Sequence, residues 1–252
     1  MCSSDLGGTV LKAGTDYTVS GNTYIIKAEY LATLPVGTQT IVFDMSSDAD
    51  PAMTVTVRES DVPGPDEWVN PFTDVNPEDW FFSDVKYVYQ SELFSGTSST
   101  EFSPNMPMTR GMAVTVLGRL AGIDVADYSG SSFSDVEADV YYAPYVKWAA
   151  ELGVVRGVGD NKFAPNANIS RQDLAVILNN YAKIMGLTLP NSIEPIVFND
   201  TADISAYSKE SVAAMQMAGI ISGKPGNVFD PKGNATRAEV AAMLHRFCEA
   251  VK

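Results

Sequence analysis

Histidine and cysteine are nearly missing from this chain of 252 residues. One histidine, His245, and two cysteines, Cys2 and Cys248 near opposite ends, leave little material for a disulfide framework or a zinc site. Cations are scarce as well: 17 Lys and Arg stand against 31 Asp and Glu, a formal net charge of -14. Such a balance argues against nucleic acid or an anionic membrane surface as partner. No apolar run approaches the roughly 18 residues that cross a bilayer, so no membrane insertion is expected. No Ser/His/Asp set and no Gly-rich phosphate loop is present, and no cofactor is expected. The start has neither the basic residues nor the apolar stretch of a signal peptide. Met1 to Leu6 resemble a translated sequencing adapter joined to a shortened gene, and residues 1–6 are set apart on that reading.

What the chain does have is repetition. Thr236-Arg237-Ala238-Glu239 has two weaker copies upstream, Thr109-Arg110-Gly111-Met112 and Ser170-Arg171-Gln172-Asp173. Seven positions before each Thr or Ser stands a Phe (Phe102, Phe163, Phe229), and six before that a Gly (Gly96, Gly157, Gly223). Each copy opens on an aromatic and an acid, Phe72-Thr73-Asp74, Phe133-Ser134-Asp135 and Phe198-Asn199-Asp200. From opening Phe to Thr or Ser the distances are 37, 37 and 38 residues, three in-register copies of one unit. The copies divide the chain at 72–132, 133–197 and 198–252.

Each copy reads as helix, loop, helix. The first helices are expected at about 82–92, 143–152 and 209–218. The second start at Thr109, Ser170 and Thr236, which are good N-caps, and Glu239 completes a capping box where Met112 cannot. Behind the caps runs an apolar stripe at i, i+3, i+4, i+7: Ala113, Val116, Leu117, Leu120; Leu174, Ile177, Leu178, Tyr181; Val240, Met243, Leu244, Phe247. Three helices with one pattern predict a central bundle, and the stripes are its core.

Residues 7–60 read instead as β structure: Thr9–Leu11, Tyr17–Val19, Thr23–Ile26, Thr38–Met45 and Met53–Val57, punctuated by turn residues, with a helix-like plug at 27–34. Residues 61–71, with Pro63, Gly64, Pro65 and Pro71, are a linker by composition.

Arg110, Arg171 and Arg237 follow the caps, where the partly positive helix end mildly disfavours a cation. Their recurrence calls for a compensating anion. It could be internal, with Asp74, Asp135 and Asp200 as salt-bridge partners. It could also be a ligand, because free N–H groups at a helix start beside a guanidinium make a carboxylate site. Spacing leaves both open.

These repeats resemble surface-layer homology (SLH) repeats, through the Phe-x-Asp-Val starts at 72–75 and 133–136, the Gly-to-Phe-x-Pro loops and Thr236-Arg237-Ala238-Glu239. The resemblance covers about residues 70–252. It implies a mainly α fold, a pseudo-threefold spindle around a central helical bundle, preceded here by a small β domain. It also implies a non-catalytic anchor at the cell wall or S-layer. Its inter-repeat grooves would bind an anionic, pyruvylated secondary cell-wall polysaccharide. Arg110, Arg171 and Arg237 would then meet the ketal carboxylate. Asp74, Asp135, Asp200, Gly96, Gly157 and Gly223 would shape the grooves and bond sugar hydroxyls, with Trp80 and Trp148 as candidate platforms for a sugar face. The wording of residues 14–37 resembles the C-terminal part of X2-type immunoglobulin-like modules, shortened at its start, with a spacer role. Only the third repeat keeps the full Thr-Arg-Ala-Glu, so the three grooves are not expected to be equal, and the chain is expected to act as a monomer.

Other classes are weaker. Catalytic carboxylates must converge on one bond, and repeated ones should spread around an axis. His245 stands where the other copies have Gly118 and Asn179, so it has no repeated role. Gly159-Asp160-Asn161 and the Asp230–Asn234 turn lack the alternating carboxylates of a calcium loop, and no metal site is expected. A protein-docking module, or the anchor of a glycan-degrading enzyme, remains an alternative; docking would be favoured by arginines buried against the aspartates.

Overall fold

The computed structural model describes residues 11–20, 23–31, 33–35, 37–42, 52–57 and 68–251. The chain divides into two compact units, Met1–Val69 and Asn70–Lys252.

In the first, β1 (Tyr17–Ser20) pairs antiparallel with β2 (Thr23–Ile26), and Ser20 faces Thr23 across a two-residue connection. The plug is a single turn, α1 (Ala28–Leu31). A second two-stranded antiparallel sheet joins β3 (Gly37–Val42) to β4 (Ala52–Val57). The expected strand at 9–11 and most of the linker at 61–71 lie outside the described residues, and Leu11 itself is buried but in no strand.

Among its described residues the second unit holds six α-helices in three pairs: α2 (Phe82–Gln90) and α3 (Arg110–Leu120), α4 (Ala143–Glu151) and α5 (Arg171–Ile184), α6 (Lys209–Met217) and α7 (Arg237–Ala250). Thr109, Ser170 and Thr236 each accept a hydrogen bond from the N–H three residues on, and only Thr236 with Glu239 closes the full capping box. The stripes are core as expected, every member buried save Leu120.

A repeat does not complete its own packing. The second helix of each packs on the first helix of the next: α3 on α4, α5 on α6, and α7 back on α2, so the third repeat closes on the first. A cycle of backbone bonds repeats this order at the helix starts. Met108 N–H donates to Ala235 O at 2.9 Å, Ala235 N–H to Ile169 O at 3.0 Å, and Ile169 N–H to Met108 O at 2.9 Å. Inside the ring, Phe102, Phe163 and Phe229 are fully buried, each worth about 1.5–3 kcal/mol in removed apolar surface.

Candidate functional site

The helix starts are not free. Arg237 N–H donates to Met106 O and Ala238 N–H to Pro104 O, both at 2.9 Å; in the same way Arg110 and Gly111 bond Ala167 and Pro165, and Arg171 and Gln172 bond Gly233 and Pro231. With the third N–H taken by the cap, the backbone donors expected for a ligand are spent on the loop of another repeat. Closing the ring requires those bonds, since buried N–H groups must be paired.

The arginine side chains do the same. Arg110 Nε donates to Phe163 O at 2.9 Å, Arg171 Nε to Phe229 O at 2.8 Å, and Arg237 Nε to Phe102 O at 2.7 Å. Each guanidinium also lies over the ring of that Phe, at 4.6, 5.4 and 4.6 Å. The internal bridge to Asp74, Asp135 or Asp200 is not formed among the described residues. Those acids instead grip the two N–H groups of the same loop: Asp74 accepts from Phe102 (2.8 Å) and Ser103 (2.7 Å), Asp135 from Phe163 and Ala164, Asp200 from Phe229 and Asp230. Ser103, Ala164 and Asp230 have φ of 57°, 56° and 58°, a left-handed turn that the carboxylate holds in place of glycine. For Asp135, burial opposes its charge, but the amides of Phe163 and Ala164, with Lys162 nearby, hold its carboxyl below the usual range.

Gly96, Gly157 and Gly223 are needed for space. A Cβ there would stand 2.7, 2.8 and 2.7 Å from the ring of Phe72, Phe133 and Phe198, the Phe that opens the same repeat.

Three grooves lie along the seams, with volumes of about 450, 660 and 500 Å³. Every groove draws on all three repeats: a loop with its Gly, the arginine of the preceding repeat and an aromatic of the following one. The first has Gly223, Arg171 and Trp80; the second Gly157, Arg110 and Tyr207; the third Gly96, Arg237 and Tyr141. Trp80, Tyr141 and Tyr207 are 63%, 58% and 61% exposed. Tyr141 and Tyr207 went unnoticed in the sequence, although each copy has an aromatic eight or nine residues after its opening Phe.

Two expectations are corrected. Trp148 is no sugar platform: it is 2% exposed, edge-on to Tyr181 in the core, because its register on α4 faces inward. Asp74, Asp135 and Asp200 do not line the grooves, since both oxygens of each are turned to the loop backbone behind them.

The charges differ from groove to groove. Arg171 is 5% exposed and its Nη1 meets Glu239 Oε1 at 2.8 Å, with Lys224 Nζ 3.4 Å from the same oxygen. Arg110 is half-buried near Asp173, whose Oδ1 accepts from the Tyr207 hydroxyl at 2.7 Å. Arg237, 6% exposed, has the carbonyls of Phe102 and Ser95 and no ion pair among the described residues. Burial lowers its pKa to about 10, against the pull of Asp74 and Tyr141.

The S-layer homology domain model matches residues 71–113, 132–175 and 197–241, and the carbohydrate binding domain X2 model matches residues 5–55. The chain is 32% identical to an amylopullulanase of Thermoanaerobacterium thermosulfurigenes over 73% of its length and 10% of that protein's. It is 32% identical to the exoglucanase XynX of Acetivibrio thermocellus over 71% of its length and 16% of that protein's. It is 27% identical to the S-layer protein sap of Bacillus anthracis over 69% of its length and 20% of that protein's. The chain thus spans between a tenth and a fifth of these relatives. Both matched models describe non-catalytic modules. With three matched copies covering just over half of its residues, the chain belongs to the S-layer homology family, extracellular modules of the cell wall and S-layer.

Proposed function

We propose that this chain is a non-catalytic anchor that holds a longer protein to the cell wall by binding an anionic wall polysaccharide in the inter-repeat grooves. The recognised group is a terminal sugar with a pyruvate ketal, its carboxylate at the groove arginine and its apolar face on Trp80, Tyr141 or Tyr207. One observation carries this reading. On a chain of net charge -14, each groove is lined by both an arginine and an exposed aromatic residue. A planar cation suits a carboxylate, and an amphipathic ring suits a sugar with one apolar side. One chain supplies all three repeats of every groove, which fits action as a monomer. Asp74, Asp135 and Asp200 are tied to three separate loops, so these three acids do not converge on one bond. The N-terminal X2-like unit serves as a spacer.

The test is pull-down on peptidoglycan sacculi, with and without removal of the pyruvylated polymer. The arginines are poor targets because they also close the ring, so the variant is the triple Trp80→Ala, Tyr141→Ala, Tyr207→Ala. Binding that needs the polymer and is lost in a variant of unchanged thermal stability supports the anchor. Equal binding to stripped sacculi overturns the glycan reading.

A further inference from the structure

The three grooves are built alike, but the residue three after the cap differs: Met112, Asp173 and Glu239. That residue lines the groove of its own repeat, opposite the arginine from the preceding one. In the Arg171 groove, Glu239 is 14% exposed and fills the place a ligand carboxylate would take, on Arg171 Nη1 at 2.8 Å. In the Arg110 groove, Asp173 is turned aside to Ser170 Oγ (2.6 Å) and the Tyr207 hydroxyl (2.7 Å) and makes no ion pair with Arg110. In the Arg237 groove the position is Met112, and Arg237 Nη1 has no partner among the described residues.

We propose that this one position decides which groove accepts the glycan carboxylate: Glu239 occupies the Arg171 groove with an internal anion, and Met112 leaves the Arg237 groove as the primary site. Arg237 is already desolvated, so an arriving carboxylate gains a charge-assisted pair with little further burial of the cation. At Arg171 it must displace Glu239, exchanging one carboxylate for another and leaving Glu239 half-abandoned beside Lys224. The lowered pKa of Arg237 agrees with a buried cation short of an anion. This assignment rests on the glycan reading above, and adds which groove works and why.

The test uses the full chain in calorimetric titration with a methyl glycoside bearing a pyruvate ketal, and in parallel pull-down on sacculi. Met112→Glu places an internal carboxylate beside Arg237; Met112→Gln has the same size without the charge. Glu239→Gln keeps the capping box and releases Arg171. The expected results are that Met112→Glu binds roughly tenfold or more weakly than Met112→Gln, and that Glu239→Gln gains binding in the Arg171 groove. The Trp80 indole N–H resonance should stay still when ligand binds the unsubstituted chain and move in Glu239→Gln. Thermal unfolding checks that each variant folds. Equal binding by Met112→Glu and Met112→Gln, or a moving Trp80 signal in the unsubstituted chain, overturns this inference alone. If the unsubstituted chain binds neither glycoside nor sacculi, the anchor reading falls and this inference with it.

Discussion

Arg237 and Asp74 hold one residue, Phe102, from opposite ends: Asp74 Oδ1 takes its N–H at 2.8 Å and Arg237 Nε reaches its carbonyl at 2.7 Å. The acid belongs to the loop's own repeat and the arginine comes from the far end of the chain. The same grip recurs at Phe163 and Phe229. Opposite charges spaced this way polarise one peptide segment without touching, and the loop becomes the joint between repeats.

Because both side chains act on Phe102, their removal should not be additive. Asp74→Asn and Arg237→Ala are each expected to cost about 2–4 kcal/mol, by leaving buried amide or carbonyl groups short of a charged partner. The double variant should lose less than the sum, by at least about 0.5 kcal/mol. Urea unfolding of the four proteins measures this, and strict additivity would refute the shared grip.

Acid should loosen the ring. Asp135 has a folded pKa below that of the unfolded carboxyl. Its contribution is therefore full above the unfolded value and is lost as pH falls through the depressed folded one. Thermal midpoints should drop over that acidic window, and Asp135→Asn should flatten this part of the profile while lowering stability at neutral pH. An unchanged profile in the variant would count against the role given to Asp135.

Gly157→Ala tests the close approach of loop and ring. The new methyl would stand 2.6 Å from the Lys162 carbonyl oxygen and 2.8 Å from Phe133 Cε1, so overpacking should cost about 1–3 kcal/mol. The pair Gly157→Ala with Phe133→Leu, which removes the ring edge, should recover part of that loss in denaturant unfolding.

His245 marks the seam that closes the ring. Its Nδ1 lies 2.8 Å from Asp84 Oδ1, and its ring stacks on Tyr87 at 4.0 Å. The equivalent seams use other contacts: Gly118 packs on Tyr145, and Asn179 donates to Ser211 Oγ at 3.0 Å. His245→Ala should cost about 1–3 kcal/mol, since Asp84 is left buried without that bond. Hydrogen exchange should then rise first in α2 and α7, and an unaltered pattern there would show that the pair does not hold the seam.

By itself the sequence determined the repeat, the six helices, their caps and the stripes that became core, because these depend on spacing and on contacts within a few residues. Thr236 and Glu239 could be paired from their separation alone; the Gly six before each loop Phe was visible too, but not that it packs on the Phe that opens the repeat. Tertiary structure alone decided where each side chain was spent. A spacing of 37 or 38 residues says that Arg110, Arg171 and Arg237 are equivalent, but not that each acts on another repeat. Trp80 and Trp148 were both candidate sugar platforms, but Trp80, ahead of α2, is exposed in its groove, whereas Trp148 sits on the inward face of α4 and is buried. Tyr141 and Tyr207 had a visible register, but what made them groove residues was their approach to arginines from other repeats. A local pattern fixes which face of a helix is apolar; which charges meet across a closed ring depends on all three repeats packing at once.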